Sequence, residues 1–517
     1  MWRYLALFPW ILGAQGWETL RDSLLIENER LEELELEQRP FPTLPILERP
    51  RWKIEDLAVG SMPDYPTLLP MVLQPSRPAW KRLAPIHLSY SLGRYWTQRL
   101  YAVWNRTRDT RTDRGVALTH FSTPQGHVKL ARWGHTHLEG WWGLHREWGA
   151  WEARYRGGYE KYFYYAPYAE GWTATNEKQI PDSLRGHFWR QELSLRLLHV
   201  RAGRGNLTTR RLDWRRGAPE WLLQAHWESK PYVSPIGRIY WTGGGFVEGQ
   251  RFLLQGGSWI EQDSTRWQVQ VGAYLGIGKD SLMRFWAAPH LYCLYKGFPA
   301  AARPYAQVQG YVQPITYFGA SELNPYLRQG GILPMTREWI RAHLGFQGAL
   351  SQQDYKVAGE YRFLQQALLF QPESAFFRVE GIPTLHSVGV IAEGVWLSPT
   401  PSGLEGELRL AYRRWFLPTG WKYYSMPAWE GTLRITYRHE SRLRVVARVH
   451  GMGARWLSNT QRVPAFVDIS GEIHVQVWPF LSFFAEMNNL LNQRFYRWYG
   501  YRERPLDGRI GIWLKVG

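Results

Sequence analysis

His120 and Ser122 are the residues of this chain whose types and spacing come nearest to a catalytic pair. They are two positions apart, so on a strand both side chains would lie on one face. A nucleophilic serine needs a base within reach and a third group that orients the base. No third residue can be assigned, and the turn sequence Pro124-Gln125-Gly126 explains the pair as the end of a strand. We therefore expect no enzymatic activity.

Histidines form the nearest approach to a metal site, at His127, His135, His137 and His145. His135 and His137 would share a strand face. No carboxylate or cysteine recurs near them with the spacing of a ligand set. We interpret them as polar loop or strand residues, and we expect no metal and no cofactor.

The elements that must position these residues are strands. From Leu404 to Val516, apolar and polar residues alternate with period two. Clear examples of the apolar set are Leu410, Leu433, Val445 and Ile512. Successive side chains of a strand point to opposite faces, so each segment has one apolar and one charged face. The repetition predicts an all-β protein, a transmembrane antiparallel up-and-down β-barrel.

Composition agrees with a barrel. The mean hydropathy of −0.41 resembles that of a soluble protein, as expected when only alternate residues face lipid. No run of about 18 apolar residues occurs, which excludes a helical membrane protein. The 30 Trp and 29 Tyr of 517 residues exceed what a core needs, and their amphipathic rings favour a membrane interface. A soluble, Trp-rich, sugar-binding β-protein is the alternative.

The strand count is expected to be even and between 16 and 22, with 22 as the best value. Candidate segments begin at His87 and number about 22. They include three separate segments at Tyr355 to Leu364, Ala375 to Glu380 and Ser387 to Ser398. They include none between Arg201 and Trp221.

The N-terminus has the pattern of an export signal. Arg3 precedes a short apolar run from Tyr4 to Leu12, and Ala14-Gln15-Gly16 forms a small-x-small cleavage site. We expect residues 1–16 to be a signal peptide, residues 17–83 a non-globular periplasmic or lumenal segment, and residues 84–517 the barrel. Export combined with alternating strands predicts the outer membrane of a Gram-negative cell.

Charge divides the chain into two unequal parts. Residues 17–40 carry eight acids and three arginines, a net charge of −5, and a Pro-rich stretch follows. Since the whole chain is +18 and the signal contributes +1, residues 41–517 carry +22. That charge is mostly arginine spread over strands, whereas a nucleic-acid binder concentrates it in a patch or arm. We expect no nucleic-acid partner.

Arginines at the polar alternate positions give the best functional indication. If their apolar neighbours face lipid, these side chains face the lumen, because Arg in mid-bilayer costs about 2–4 kcal/mol. A basic open lumen would favour anions. The alternative is pairing with interior acids, which would leave a packed, charged filling. The candidates are Arg409, Arg413, Arg434, Arg438, Arg444, Arg448 and Arg509, and the acids are Glu405, Glu407, Glu430, Glu472 and Glu486.

The C-terminal stretch Leu481 to Gly500 resembles the end of TonB-dependent receptor barrels. The matching residues are Phe484-Ala485-Glu486, Asn488-Asn489-Leu490, Asn492 and Tyr496. Residues 80–122 are similar to the first hairpin of a plug-less, TonB-dependent-receptor-like group. The resemblance implies an outer-membrane barrel in contact with lipid, and it does not indicate the ligand.

Three departures from that family limit the implied function. Residues 17–83 are too few for the usual plug, no convincing TonB box is present, and the chain ends Lys515-Val516-Gly517 without a terminal aromatic. We therefore expect porin-like passage or accessory transport of a small solute through a basic lumen, which would admit anions. The alternative is a structural or assembly component that anchors a periplasmic or outer-membrane protein partner.

Overall fold

Alternating segments of this chain form strands over almost the whole described length. The computed structural model describes residues 86–106, 112–124, 133–146, 148–163, 185–199, 202–214, 219–280, 282–324, 326–327, 333, 335–350, 353–373, 376–398, 402–419, 426–440, 442–456, 462–498, 501–502 and 504–516. The expected signal peptide and the segment 17–83 lie outside these residues. Within the described residues, no helix is long and apolar enough to span a membrane.

Twenty-two strands of the described chain form one antiparallel barrel sheet. The first eleven are β1 (Ile86–Gly93), β2 (Gln98–Asn105), β3 (Thr112–Thr123), β4 (Trp133–Arg146), β5 (Gly149–Phe163), β6 (Arg185–His199), β7 (Gly203–Trp214), β8 (Glu220–Ser229), β9 (Gly237–Glu248), β10 (Arg251–Asp263) and β11 (Trp267–Lys279). The others are β12 (Met283–Tyr295), β13 (Arg303–Pro314), β14 (Met335–Leu350), β15 (Gln353–Glu373), β16 (Phe376–Trp396), β17 (Gly403–Phe416), β18 (Trp429–His439), β19 (Leu443–Met452), β20 (Phe466–Trp478), β21 (Leu481–Asn488) and β22 (Asp507–Val516). Short strands at Tyr232–Ser234, Arg455–Trp456, Arg462–Val463, Tyr496–Trp498 and Tyr501–Arg502 lie in the connections.

Closure of the sheet occurs between the first and last strands. Ile86 pairs with Val516, and Gly93 pairs with Arg509. Every other barrel strand pairs with its sequence neighbours. The described strands therefore confirm the predicted up-and-down barrel and its best strand count. We call the end that holds Ile86 and Val516 the near end, and the opposite end the far end.

The two faces of the sheet differ in polarity. Large apolar side chains are exposed on the outer face, including Phe285 at 78% and Ile510 at 70%. The alternate positions are buried and carry most of the charged and amide side chains, such as Arg99, Glu360 and Gln270. An apolar outside and a polar inside is the arrangement that a barrel in lipid requires.

Strands β15 and β16 are longer than their neighbours, with 21 residues each. Their last paired residues, from Ala367↔Ile382 to Glu373↔Phe376, extend beyond the pairing with the neighbouring strands β14 and β17. A short helix, α1 (Tyr317–Leu323), follows β13, and the Thr316 side chain caps it by accepting from Gly319 N at 2.9 Å. This hairpin extension and α1 belong to the largest hydrophobic cluster of the described residues.

Candidate functional site in the barrel interior

The C-terminal motif contributes a buried ion pair to the barrel wall. Glu486 of β21 stands directly opposite Arg509 of β22. Arg509 donates from Nε to Glu486 Oε2 at 2.8 Å and from Nη2 to Oε1 at 2.7 Å. Arg99 of β2 lies 3.9 Å from the same carboxylate, and Phe484 is buried one position earlier on this face. The pair therefore joins β21 to β22, and the Arg99 contact reaches it from β2 on the other side of the seam.

Asn489 shapes the loop that follows this strand. Its φ of 51° is left-handed, a conformation that asparagine tolerates better than most residues. Its Nδ2 donates to Gln493 O and to Arg504 O, both at 2.8 Å, and its Oδ1 accepts from Gln493 N at 2.9 Å. One side chain thus connects both ends of the far-end loop between β21 and β22.

The remaining motif residues act in the same loop. Asn492 also has a left-handed φ, 49°, and its Oδ1 accepts from Leu506 N at 3.0 Å. Asn488 Nδ2 donates to Glu486 Oε1 at 3.4 Å. Tyr496 begins a two-stranded ribbon in which it pairs with Arg502. The described side chains of the family-like motif therefore contribute to the last two barrel strands and to the loop between them.

A second charged network lies on β14 and β15. Arg362 donates from Nε to Glu338 Oε1 at 2.8 Å, and the exposed fraction of both side chains is 0%. Arg341 donates from Nη2 to Glu338 Oε2 at 3.0 Å and to Tyr311 OH at 2.9 Å. Sequence reasoning missed this network, although its residues occupy the polar alternate positions of their strands.

Glu360 connects this network to a predicted arginine. Arg413 donates from Nε to Glu360 Oε2 at 2.6 Å, and His343 Nε2 lies 3.2 Å from Oε1. All three side chains are buried. A buried carboxylate held by a guanidinium and a ring nitrogen is a rigid, charge-compensated unit, because removing one partner leaves an unpaired buried charge.

The other predicted arginines lie on β17 to β20, where acids also occur. In register, Arg434 lies between Glu407 and Arg448, and Arg438 lies beside Arg444. Further ion pairs join Arg409 to Glu407, Arg438 to Glu405 at 3.4 Å and Arg448 to Glu472 at 3.8 Å, while Glu430 lies 3.7 Å from His450. Of the seven candidates, Arg409, Arg413 and Arg509 are buried and the other four are half-buried. That they line a path for a solute stays a prediction.

The far end is crossed by the segment after β13, which we call the crossing segment: Ile315–Asn324, Tyr326 and Leu327. Tyr326 contacts β5 and β16, which stand eleven strands apart in the 22-strand barrel. Its ring meets Tyr162 edge to face at 6.0 Å, and its carbonyl accepts from Phe377 N at 3.0 Å. Leu327 forms a bridge with Phe377. Through Tyr326, the crossing segment thereby contacts both β5 and the extension of the β15–β16 hairpin.

Polar contacts fix the crossing segment to the wall formed by β6 to β10. Phe318 N donates to Glu220 Oε2 at 3.0 Å, and Arg251 donates to Ile315 O at 2.8 Å. Arg190 donates to Ser321 Oγ at 3.1 Å and lies 3.0 Å from Glu160 Oε1. The Arg210 guanidinium lies 5.2 Å from the centre of the Phe318 ring. These groups were not singled out from the sequence, because nothing local indicates a contact across the barrel.

The residues considered for catalysis and metal binding have ordinary surroundings. His120 Nδ1 lies 2.8 Å from Thr136 Oγ1 on the neighbouring strand. The rings of His135 and His137 are 4.8 Å apart. No group of three or more His, Cys, Asp or Glu in the described part of the chain could hold a metal ion. His127 and the side chain of His145 lie outside the described residues.

Comparison with known proteins identifies the fold. No family model and no curated protein sequence matches the chain. Among solved structures, it is similar to the ferric-catecholate import receptor Fiu of E. coli K12, with a TM-score of 0.61, 12% identity and coverage of 83% of this chain and 81% of Fiu. A variant of the ferric enterobactin receptor PfeA of Pseudomonas aeruginosa has a TM-score of 0.59 and 11% identity, and the match covers 83% of this chain and 80% of PfeA. The ferripyoverdine receptor of the Pseudomonas aeruginosa outer membrane, bound to ferripyoverdine, has a TM-score of 0.59 and 11% identity. The match covers 83% of this chain and 71% of that receptor. The assignment to a plug-less group stays a prediction. The predicted barrel is confirmed: the described strands form the closed 22-strand barrel fold of the TonB-dependent receptors.

Proposed function

We propose that this protein lies in the outer membrane of a Gram-negative cell and mediates the passage of a solute through its barrel. The observation that carries the proposal is the closed barrel with an apolar outer face and a polar, charged inner face. Soluble proteins rarely expose a contiguous apolar surface of this size, whereas a barrel in lipid has one around its circumference. One structural relative is a ferric-catecholate import receptor and another a ferric enterobactin receptor, which supports a role in solute passage.

Anions are the proposed class of conducted ion. Arg434, Arg438, Arg444 and Arg448 occupy neighbouring positions of β18 and β19, with like charges side by side in the register. A lumen wall of this kind raises the local concentration of anions. In planar bilayers with a KCl gradient, the reversal potential should show anion preference. The variant Arg434→Gln with Arg444→Gln should reduce that preference, and cation preference of the native barrel would refute the proposal.

The N-terminal segment is the proposed partner of this basic wall. Residues 17–40 carry a net charge of −5, opposite to the +22 of residues 41–517. We place this segment at the periplasmic mouth or inside the lumen, where it would replace a plug. Deleting residues 17–80 should then increase single-channel conductance. An unchanged conductance, with the barrel still folded, would contradict this role.

A second candidate function is that of a structural or assembly component without transport. The ion pairs of Arg413 with Glu360 and of Arg509 with Glu486 favour it, because compensated charge is the mark of a packed interior. The contacts of the crossing segment with β5, β8 and β10 at the far end also favour it. An electrically silent barrel that purifies with a stoichiometric protein partner would support this second function over passage.

A further inference from the structure

Apolar side chains form a patch on the inner face of the barrel at its near end, which we call the aromatic patch. It consists of Tyr101 and Val103 on β2, Ala117 on β3, Trp141 on β4 and Trp513 on β22. Most of the inner face is polar or charged, so this patch differs from the wall around it. Removing apolar surface from water is favourable, so we expect apolar chain to cover the patch.

The aromatic patch is as buried as a protein core. The exposed fraction is 3% for Tyr101 and 4% for both Val103 and Trp513, whereas Trp104, the outward neighbour of Val103, is 40% exposed. Within the described chain, the hydrophobic cluster of this patch contains side chains of the barrel wall alone. A sheet buries a face only when another element packs on it. The expected second layer is therefore a part of the chain outside the described residues.

The described chain begins beside this patch. Strand β1 starts at Ile86, and Ser89 stands opposite Tyr101 on one side and Trp513 on the other. The patch is thus about 10 Å along the strand from the point where the chain enters the barrel. Pro78 precedes Ile86 by eight positions, over which an extended chain spans up to roughly 26 Å. Residues before Ile86 are therefore long enough to turn back along the inner face and cover the patch.

Residues 63–78 have the composition that an aromatic surface recognises. Within them, the segments 63–66 and 75–78 both have the form Pro-x-x-Pro, and the five prolines are Pro63, Pro66, Pro70, Pro75 and Pro78. Such density favours the extended polyproline II conformation, which loses little entropy on binding. Grooves lined with Trp and Tyr bind this conformation, because proline rings pack on the aromatic faces.

Aromatic rings flank a low floor in the patch. The rings of Tyr101 and Trp513 have centroids 5.9 Å apart and planes inclined at 38°. On the other flank the Trp141 ring lies over Gly115, where an added Cβ would collide with it. Ala117, on the strand between β2 and β4, is the smallest side chain of the cluster. A small side chain between two aromatic flanks leaves a groove for an extended chain.

We propose that residues 63–78 dock on the aromatic patch as an extended proline-rich segment, with Pro75 and Pro78 packed on Tyr101 and Trp513. The inference deepens the proposed function, and it rests on the proposal that the N-terminal segment enters the barrel. It names the surface that holds this segment at the near end. The 22 residues between positions 40 and 63 leave the acidic stretch 17–40 long enough a tether to reach the basic wall of β18 and β19.

The test is cross-linking between two introduced cysteines in the full chain, held in lipid nanodiscs, with the native thiol removed as Cys293→Ser. Ser76→Cys lies between two prolines of the segment, and Val103→Cys lies in the patch. A short thiol cross-linker should join them within one chain, which changes the migration of the denatured monomer on an SDS gel. Trp104→Cys is the matched control, because it is the next residue of β2 and points outward, and it should not cross-link.

A second pair of variants changes the proposed occupant and no residue of the barrel. Pro75→Ser combined with Pro78→Ser should slow cross-linking to position 103 roughly threefold or more, because the lost rings bury methylene groups and restrain the segment. Pro45→Ser combined with Pro50→Ser removes two prolines outside residues 63–78. This control should cross-link at the native rate.

Three results would overturn the inference: no cross-link to Val103→Cys, equal cross-linking to Val103→Cys and Trp104→Cys, or equal rates in the two proline variants. A cross-link between two chains would also overturn it, since the patch would then belong to a second copy. Folding is checked by the heat-dependent shift of a closed barrel on an SDS gel. Ala117→Cys provides the same test if the Val103→Cys barrel does not fold.

Failure of this inference is distinguishable from failure of the proposed function. A cross-link to Val103→Cys, with conductance unchanged by deletion of residues 17–80, would uphold docking and reject the role of the segment as a plug. Increased conductance of the deletion variant, without a cross-link in the full chain, would uphold the plug and reject docking on this patch.

Discussion

The Arg509 guanidinium meets the Glu486 carboxylate through two parallel hydrogen bonds of 2.8 and 2.7 Å, next to the seam where β22 joins β1. Both side chains are buried. The geometry is that of a two-point guanidinium–carboxylate contact, which is stronger and more directional than a single-bond pair. Glu486, a residue of the family-like motif, thus holds the last two strands together beside the seam.

Replacing Glu486→Gln should destabilise the barrel by about 3–5 kcal/mol, because the Arg509 charge would remain buried without its counter-charge. Guanidinium unfolding from lipid vesicles, followed by tryptophan fluorescence, measures the change. Glu405→Gln is the control, since Glu405 and Arg438 are partly exposed and 3.4 Å apart. Such a pair should contribute less than about 1 kcal/mol. Equal effects of the two substitutions would show that the seam pair has no special role.

Asn489→Ala should lower stability by about 1–3 kcal/mol. The substitution removes three hydrogen bonds of the loop and places alanine at a φ of 51°. Asn489→Gly loses the same bonds but accepts that φ freely, so it should be less harmful than alanine. The two variants are compared by the same unfolding measurement. If the glycine variant loses more stability than the alanine variant, the left-handed backbone conformation is not the reason that asparagine is required at this position.

Strand alternation predicted the barrel well where one face meets lipid and the other is polar. Strand β7 (Gly203–Trp214) was missed because its two leucines, Leu207 and Leu212, fall on opposite faces and leave no alternation to detect. The hairpin of β15 and β16 was divided into three segments for a related reason. Its apolar residues from Ala367 to Phe370 are buried at consecutive positions. The predicted total of 22 therefore combined one missed strand with one strand too many.

The interior was harder to predict than the sheet. Arginine at the polar positions was recognised, but Glu360 as the partner of Arg413 was not, because the two residues are 53 positions apart. The crossing segment is a similar case, since Tyr326 contacts strands that stand eleven apart in the barrel. The alternation of residue types predicts which face of the sheet a side chain occupies. Which side chains meet across the lumen depends on how the sheet closes into a barrel, which the alternation does not show.

Val271→Arg should destabilise the barrel in vesicles by about 2–4 kcal/mol. Val271 lies in the middle of β11 with 53% of its surface exposed on the outer face, where lipid would surround it. Leu282→Arg is the matched control, because Leu282 is 63% exposed but lies in the turn between β11 and β12. Arginine at position 282, near the membrane interface, should lower the stability by only about 0–1 kcal/mol. Similar costs at both sites would argue against a lipid-facing outer belt.

Tyr326→Ala combined with Glu220→Ala should loosen the crossing segment at two of its contacts, while the hydrogen bonds from Arg251, Arg190 and Phe377 N remain. The first substitution removes the ring contact with Tyr162, and the second removes the carboxylate that accepts from Phe318 N. If this segment narrows the far end, single-channel conductance should rise in the double variant, or appear where the native barrel is silent. Tyr232→Ala, at an exposed tyrosine in the β8–β9 connection of the near end, should leave conductance unchanged. A folded double variant with native conductance would show that the Tyr326 ring and the Glu220 carboxylate do not hold the crossing segment in a position that limits passage.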